Sequence, residues 1–347
     1  MKAASIRILA LVLAGGKGTR LRPLTNGDAK PALPFAGGRR IVDFVLSNFF
    51  NSGIGPVYVL AQYKPYSLIE HLNNAWGLSS SHRDHFVDVL LSRKKSEPGG
   101  YEGYNGTADA VYQNLLLIDR HKPDLVAVFA ADHVYRMDVR QMADFHQRCD
   151  ADVTVAAVPV PLHKASSFGV IGTGADGRIE EFEEKPVRPR SIPLKPDHAY
   201  ASMGNYLFKP EVLIAGLRQA NEQGEHDFGR HLLPRLARTH RTYAYDFATN
   251  TVPGVQPYEE PAYWRDVGTV EAYQDAQQDL VGPRPRFRLE NPDWPILRRT
   301  GEGALALGAG ISMEVRAAAI HPHPTLSESI GTAAREALSV EHSARRS

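Results

Sequence analysis

A single cysteine, Cys149, stands in 347 residues, which rules out an intrachain disulfide and suits a reducing compartment. The net charge is only +1, without the basic excess by which a general nucleic-acid binder holds a phosphate backbone. No apolar stretch approaches the roughly 20 residues needed to span a bilayer. The first apolar run, Ile6 to Ala14, follows Lys2 much as in a signal peptide. It leads straight into a glycine loop, however, and its removal would cost the fold a strand, so it is expected to stay. No internal repeat is legible ahead of Gly282. These shortages point to a cytoplasmic protein with neither membrane nor nucleic acid as partner.

What is present is ordinary for a globular chain, with 43% hydrophobic and 23% charged residues. The length suffices for one large α/β domain and a smaller appendage. The stretch Leu9 to Pro31, LALVLAGGKGTRLRPLTNGDAKP, carries the strongest signal. Its apolar start has the length and β-branched content of a buried parallel strand. Gly15, Gly16 and Gly18 follow, with Lys17 and Arg20 interleaved and Lys30 further on. Glycines let backbone N–H groups approach a ligand closely, and a run of such amides beyond a strand end cradles anions. Taken alone, the loop is equally a tight βα turn with solvated basic residues. It is neither G-x-G-x-x-G nor a Walker loop. Its L-A-G-G-x-G-T-R-L, P-L-T and K-P elements resemble the sugar-1-phosphate nucleotidyltransferases, in which the glycine loop holds a nucleoside triphosphate.

Beyond the loop, Arg40 to Ser52 has apolar residues at near-helical spacing, Pro56 to Ala61 reads as a strand, and Pro65 to Trp76 as a helix. That order is the order of a doubly wound sheet, with ligands at the carboxyl ends of the strands. His82 to Gly106 reads as a mobile loop around a short VDVLL strand. Thr107 or Asp109 is expected to cap a helix running through Leu117, and Asp124 to Ala131 is a buried strand ending at Asp132. Ala151 to Val160 reads as a strand. Phe168 to Gly172 and Arg178 to Phe182 flank an Asp176-Gly177 turn, a hairpin signal, and Ala199 to Phe208 is another strand. Helices over Glu211–Gln219 and Asp227–Ala237, a strand over Thr242–Phe247 and a helix over Thr269–Leu280 complete residues 1–281, expected to form the catalytic domain. Residues 282–303, rich in Pro and Arg, read as a linker wrapped over a surface. Residues 304–347 show weak periodicity.

The chemistry-bearing residues are scattered. Asp132 at a strand end can hold a hard cation through oxygen, although a turn-starting or helix-capping Asp is the plainer reading of that residue alone. Asp266, in YWRDVGT, is the second carboxylate; His133 and His226 read as structural. Glu183, Glu184, Lys185 and Pro186 form EEKP after a strand, where an acidic run is ordinarily a solvated face. A lysine held between it and a proline turn can bind an anionic sugar phosphate. In YNGTADAV an aromatic, Tyr104, precedes a small-residue helix start; aromatics stack on bases and sugars, and helix N-termini attract phosphate.

AKPA, RIVDFVLSN, GTADAV, AADHVY, ASSFGV, EEKP, ASMGNY, HDFG and YWRDVGT fall in the order seen in the glucose-1-phosphate adenylyltransferases (ADP-glucose pyrophosphorylases), and the chain resembles that family from about Ile6 to Ile296. The resemblance implies an α/β, Rossmann-like nucleotidyltransferase domain with a mostly parallel central sheet. It implies transfer of the adenylyl group of ATP to α-D-glucose 1-phosphate, giving ADP-glucose and pyrophosphate for α-glucan synthesis. Carried over by position, Arg20 and Lys30 would be catalytic, and Asp132 and Asp266 would hold Mg²⁺. Leu13, Ala14, Gly15, Gly16, Gly18, Thr19, Gln62, Gly106 and Thr107 would bind the nucleotide. Tyr104, Gly169, Glu184, Lys185 and Ser202 would contact the sugar phosphate or the product. Two other readings compete: a pyrophosphorylase for another nucleotide, and a non-catalytic subunit that binds sugar nucleotides.

The chain also departs from the family. Gly27 and Asp28 stand where members activated by sugar phosphates carry basic residues, Pro34 where a histidine is frequent, and Gly103 where a tryptophan is frequent; Arg40 and Arg120, at nucleotide-effector positions of some members, are kept. The family's C-terminal left-handed β-helix is not legible in 304–347, where only ALGAGISMEV has a trace of its pattern. That tail is expected to be a remnant or disordered, which bears on the homo-oligomer, a tetramer, that the resemblance implies.

Overall fold

In the computed structural model, residues 6–76, 86–92, 103–193 and 195–297 are described; the tail expected over 304–347 lies outside them. Strand β1 (Ile8–Ala14) lies at the centre of a nine-stranded sheet. It pairs in parallel with β4 (Val57–Ala61) on one side and β6 (Leu125–Ala130) on the other, and β4 pairs in parallel with β5 (Val87–Leu91). A short hairpin, β2 (Pro34–Phe35) and β3 (Arg39–Arg40), lies between β1 and β4 in the chain. The strand order reverses between β1 and β6, and ligands of open α/β sheets bind at the carboxyl ends beside such a reversal. The glycine loop and Asp132 both begin there.

The other half of the sheet is mixed and is joined to β6 through an antiparallel strand. Strand β11 (His198–Phe208) runs antiparallel to β6, β8 (Val153–Pro161) and β9 (Gly169–Thr173). Strand β10 (Ile179–Glu184) forms the expected hairpin with β9 around Gly177, whose φ of 78° needs no Cβ, and β12 (Thr242–Asp246) pairs in parallel with β8. One edge of β11 pairs with β8 on both sides of a register shift between Ser202 and Tyr206, while its other edge passes from β9 to β6 over the same stretch. Gly204 sits in that bulge at φ 71°. A separate pair, β7 (His133–Tyr135) and β13 (Trp264–Asp266), runs antiparallel with Asp266 opposite His133.

Alternation along β1 divides the core. Ala10, Val12 and Ala14 face α1 (Val42–Asn51), α2 (Tyr66–Ala75) and α5 (Val139–Arg148), whereas Leu9 and Leu11 face α3 (Thr107–Tyr112), α6 (Pro210–Glu222) and α7 (Leu233–Thr239). Both faces of the central strands are therefore covered, which is why they read as continuous apolar runs. A third cluster gathers Leu21, Phe35, Phe44, Tyr263 and Tyr273 of α8 (Val270–Gln278) with Phe287 and Ile296. Residues 282–297 thus complete a core. Arg39 Nε donates to Ile296 O at 2.8 Å, and Asn51 Nδ2 to Pro295 O at 2.9 Å, tying this strap to β3 and α1.

The helix expected from Thr107 through Leu117 is two helices, α3 and α4 (Leu116–His121). Neither predicted cap holds its N-terminus. Gly106 takes the cap position, and the His226 carbonyl accepts from Ala108 N–H (2.8 Å) and Asp109 N–H (3.3 Å). The segment expected as one helix over Asp227–Ala237 opens with a wide turn, Phe228–Leu232, before α7. Pro234 lacks the N–H that regular helical bonding would need there.

Candidate active site

The cleft at the switch point has a volume of about 440 Å³ and is lined by strand ends and loops from distant parts of the chain. Leu13, Ala14, Gly15 and Gly16 bring the end of β1, and Gln62 and Tyr63 the end of β4. Asp132 follows β6, and Glu184 with Gly204 belongs to the antiparallel half. The loop glycines matter because of what lies against them. A Cβ at 103 would fall 1.9 Å from Gln62 Nε2, and one at 106 would fall 2.3 Å from His226 O. Gln62 Nε2 donates to Tyr104 O at 3.0 Å, so the amide is held at the cleft wall by backbone.

The charged centre is assembled from three places in the chain. The short turn Lys30–Ala32 buries Lys30, which is 7% exposed. The β7–β13 register places Asp266 opposite His133, one residue from Asp132. Lys30 Nζ then donates to Asp132 Oδ2 at 2.9 Å and to Asp266 Oδ1 at 3.3 Å. Burial by itself pushes the lysine down, and the two carboxylates more than reverse this, raising it above its ordinary value. Burial alone would raise Asp132, but the Lys30 ammonium, with help from His133, holds its carboxyl far below the usual range. Both groups are charged at neutral pH.

Ligand atoms of Asp132, His133 and Asp266 lie within 4.8 Å of one another. Two carboxylate oxygens so placed suit a hard divalent cation that takes its remaining ligands from phosphate and water. His133, read as structural from sequence, is brought into this group; its ring packs on Trp264 with centroids 5.0 Å apart. Arg20 is exposed and lies beside the carboxylates. A Cβ on Gly268 would be 2.9 Å from Arg20 Nη2 and 3.0 Å from Asp266 Oδ1.

Over this same arrangement a family model described as nucleotidyl transferase matches residues 9–282. The glucose-1-phosphate adenylyltransferase of Thermodesulfovibrio yellowstonii is 53% identical over 86% of this chain and 72% of its own length. The chain belongs to the glucose-1-phosphate adenylyltransferase family. The enzymes of that name from Thermus thermophilus (48% identical, 84% of this chain and 71% of the relative) and Vibrio cholerae (45%, 83% and 70%) match over the same portion.

Against the residues expected for a glucose-1-phosphate adenylyltransferase, the cleft gathers most but not all. Leu13, Ala14, Gly15, Gly16, Lys30, Gln62, Tyr104, Gly106, Thr107, Asp132 and Glu184 line it. Gly18 and Thr19 lie one step back in the loop. Gly18, at φ 61°, supports the turn carrying Arg20, where Thr25 Oγ1 donates to its carbonyl at 2.8 Å. Ser202 Oγ accepts from Gly204 N–H at 3.2 Å and so braces the bulge. Gly169 acts through the Cβ it lacks, which would sit 3.0 Å from Glu184 Oε2. Lys185 pairs with Glu184, its side chain half exposed. The α3 amides at 108 and 109 are taken by His226 O, so they do not serve as a phosphate site.

Sequence reasoning gave no role to Tyr63, Gly204, Asp227 or Gly229, which also line the cleft. Asp227 accepts from Thr107 Oγ1 at 3.2 Å, and a Cβ at Gly229 would stand 2.7 Å from Glu184 Oε2. A glycine inside the ASMGNY strand was the available signal for the bulge.

Proposed function

We propose that this chain transfers the adenylyl group of ATP to α-D-glucose 1-phosphate, giving ADP-glucose and pyrophosphate in the cytoplasm, for α-glucan synthesis. The observation that carries the reading is the charged centre: one buried lysine between two carboxylates, set against a glycine loop at the reversal of strand order. The relatives' shared name supports the choice of nucleotide and sugar. Asp132 and Asp266 would hold Mg²⁺, which when bound neutralises phosphate oxygens and acts as a Lewis acid. The backbone of Gly15 and Gly16 lets the triphosphate approach closely. Arg20 and Lys30 orient it and meet the charge that develops on departing pyrophosphate. Glu184, fixed between Gly169 and Gly229, accepts hydrogen bonds from sugar hydroxyls, and Lys185 beside it binds the sugar phosphate. Holding the phosphate oxygen in line with the α-phosphorus supplies much of the rate, without a covalent intermediate.

Pyrophosphate release assayed with glucose 1-phosphate and each of ATP, dTTP, UTP, CTP and GTP tests the assignment. ATP is expected to be preferred; a preference for any other nucleotide removes the adenylyl reading.

The two lysines should separate by role. Lys185→Ala is expected to raise KM for glucose 1-phosphate roughly tenfold with kcat little changed, because a charged hydrogen bond to a ground-state phosphate is lost. Lys30→Ala acts on the transition state and should appear mainly in kcat. Parallel changes of both parameters in both variants would overturn the division.

A further inference from the structure

Lys30 reaches the carboxylates from a backbone that is itself well anchored. Arg40 Nη1 donates to Ala32 O at 2.6 Å, at the end of the turn that begins with Lys30. The Arg40 N–H donates to Asp43 Oδ2 at 2.7 Å, and fully buried Asp43 also meets His71 Nε2 and Trp76 Nε1, each at 2.7 Å. This network ties the turn to α1 and α2, so rearrangement at Lys30 falls to its flexible side chain. The side chain is 8% exposed, and among the described residues its ammonium pairs with Asp132 and Asp266.

The ammonium stands 2.9 and 3.3 Å from the two oxygens that a divalent cation would use. Two cations cannot share that position without strong repulsion. A metal arriving alone would also strand a buried ammonium, and an uncompensated buried charge is costly. A metal arriving with a triphosphate brings new anionic oxygens for the ammonium to meet. We propose that Lys30 is an internal counterion of the Asp132–Asp266 pair, which a divalent cation displaces only when nucleotide phosphates are there to receive the lysine. The proposal rests on the metal assignment given above. It makes metal and nucleotide bind with positive coupling, and coupling is reciprocal: each raises the affinity for the other by the same factor.

Mn²⁺ binding followed by electron paramagnetic resonance, corrected for metal held by free nucleotide, tests this without turnover. In the absence of nucleotide, the unaltered protein and Lys30→Arg are expected to bind Mn²⁺ weakly. Lys30→Gln is expected to bind it roughly tenfold to a hundredfold more tightly, the range of ordinary site–site coupling. With an unreactive ATP analogue present, the unaltered protein should gain affinity and the advantage of Lys30→Gln should vanish. Equal Mn²⁺ affinity of the unaltered protein and Lys30→Gln without nucleotide overturns the proposal. So does an unaltered protein that binds Mn²⁺ equally with and without the analogue, a measurement that stands even where Lys30→Gln does not fold. The metal assignment fails separately: Asp132→Asn with Asp266→Asn binding Mn²⁺ as the unaltered protein does, analogue present, would sink it alone.

Discussion

Asp132→Asn is expected to lower kcat for ADP-glucose formation by about three orders of magnitude, the scale seen when a preorganised electrostatic group is removed from a transition state. The substitution keeps size and shape, removes the charge and exchanges one acceptor oxygen for an amide donor. That charge is expected to serve twice: it is one of the two carboxylates proposed to hold the metal, and it is the closer partner of Lys30. Losing it weakens the cation and frees the lysine from its resting position. Asp266→Asn should produce a loss of similar order. The double variant should be little worse than either single one, because residues acting as one unit are not additive. Steady-state rates at saturating ATP, glucose 1-phosphate and Mg²⁺, with thermal unfolding to check the fold, decide this. An Asp132→Asn protein retaining more than about a tenth of kcat would remove the residue from the catalytic centre.

The second large effect is on stability, far from the cleft. Arg136 and Glu259 form an ion pair at 3.2 Å with side chains 4% and 2% exposed. Glu259 also accepts from Arg288 N–H at 2.9 Å and Gln256 N–H at 2.8 Å, while the Arg136 guanidinium lies 4.3 Å from the Phe287 ring centroid and donates to Arg288 O. The pair therefore fastens the strap 282–297 to the body. Arg136→Ala leaves a buried carboxylate without its counter-charge and is expected to cost about 3–5 kcal/mol. Replacing both partners with apolar residues of similar volume should cost much less, since no orphan charge remains. Denaturant unfolding monitored by tryptophan fluorescence measures both, Trp294 lying in the strap itself. A loss below about 1 kcal/mol for Arg136→Ala would mean the strap is held by its apolar contacts alone.

The parts of this molecule that were legible in its sequence are those decided locally. The strand, glycine loop and helix of residues 8–51 are written in apolar periodicity and in residues without Cβ, and the Asp176-Gly177 hairpin in its turn. Asp132 and Asp266 could be named as candidate ligands, but their meeting was not legible, because 134 positions of chain separate them and nothing local says that β7 pairs with β13. The same holds for Lys30, whose partners are 102 and 236 residues away. The plugging of α3 by the His226 carbonyl was not legible at all, since every non-proline backbone offers the same acceptor whatever its side chain. The anchoring of the strap was not legible for a related reason: its Pro and Arg content resembles solvent-exposed chain, while its buried residues, Phe287, Trp294 and Ile296, are few and irregularly spaced.

Strand β11 has a mechanical consequence. It is continuous through both halves of the sheet, but on one edge it passes from β9 to β6 at the Gly204 bulge. Glu184, at the end of β10, is carried on the β9 side, and Asp132, at the end of β6, on the other. The two groups proposed to hold opposite ends of one product are therefore mounted on either side of a spine, β11. The β8 ladder shifts register over the same stretch, so the bulge at residues 202–206 interrupts both edges of the spine at one place. A side chain forced onto position 204, where Ala130 Cβ already lies 3.1 Å from the site of the missing Cβ, would have to displace one side of that interruption from the other.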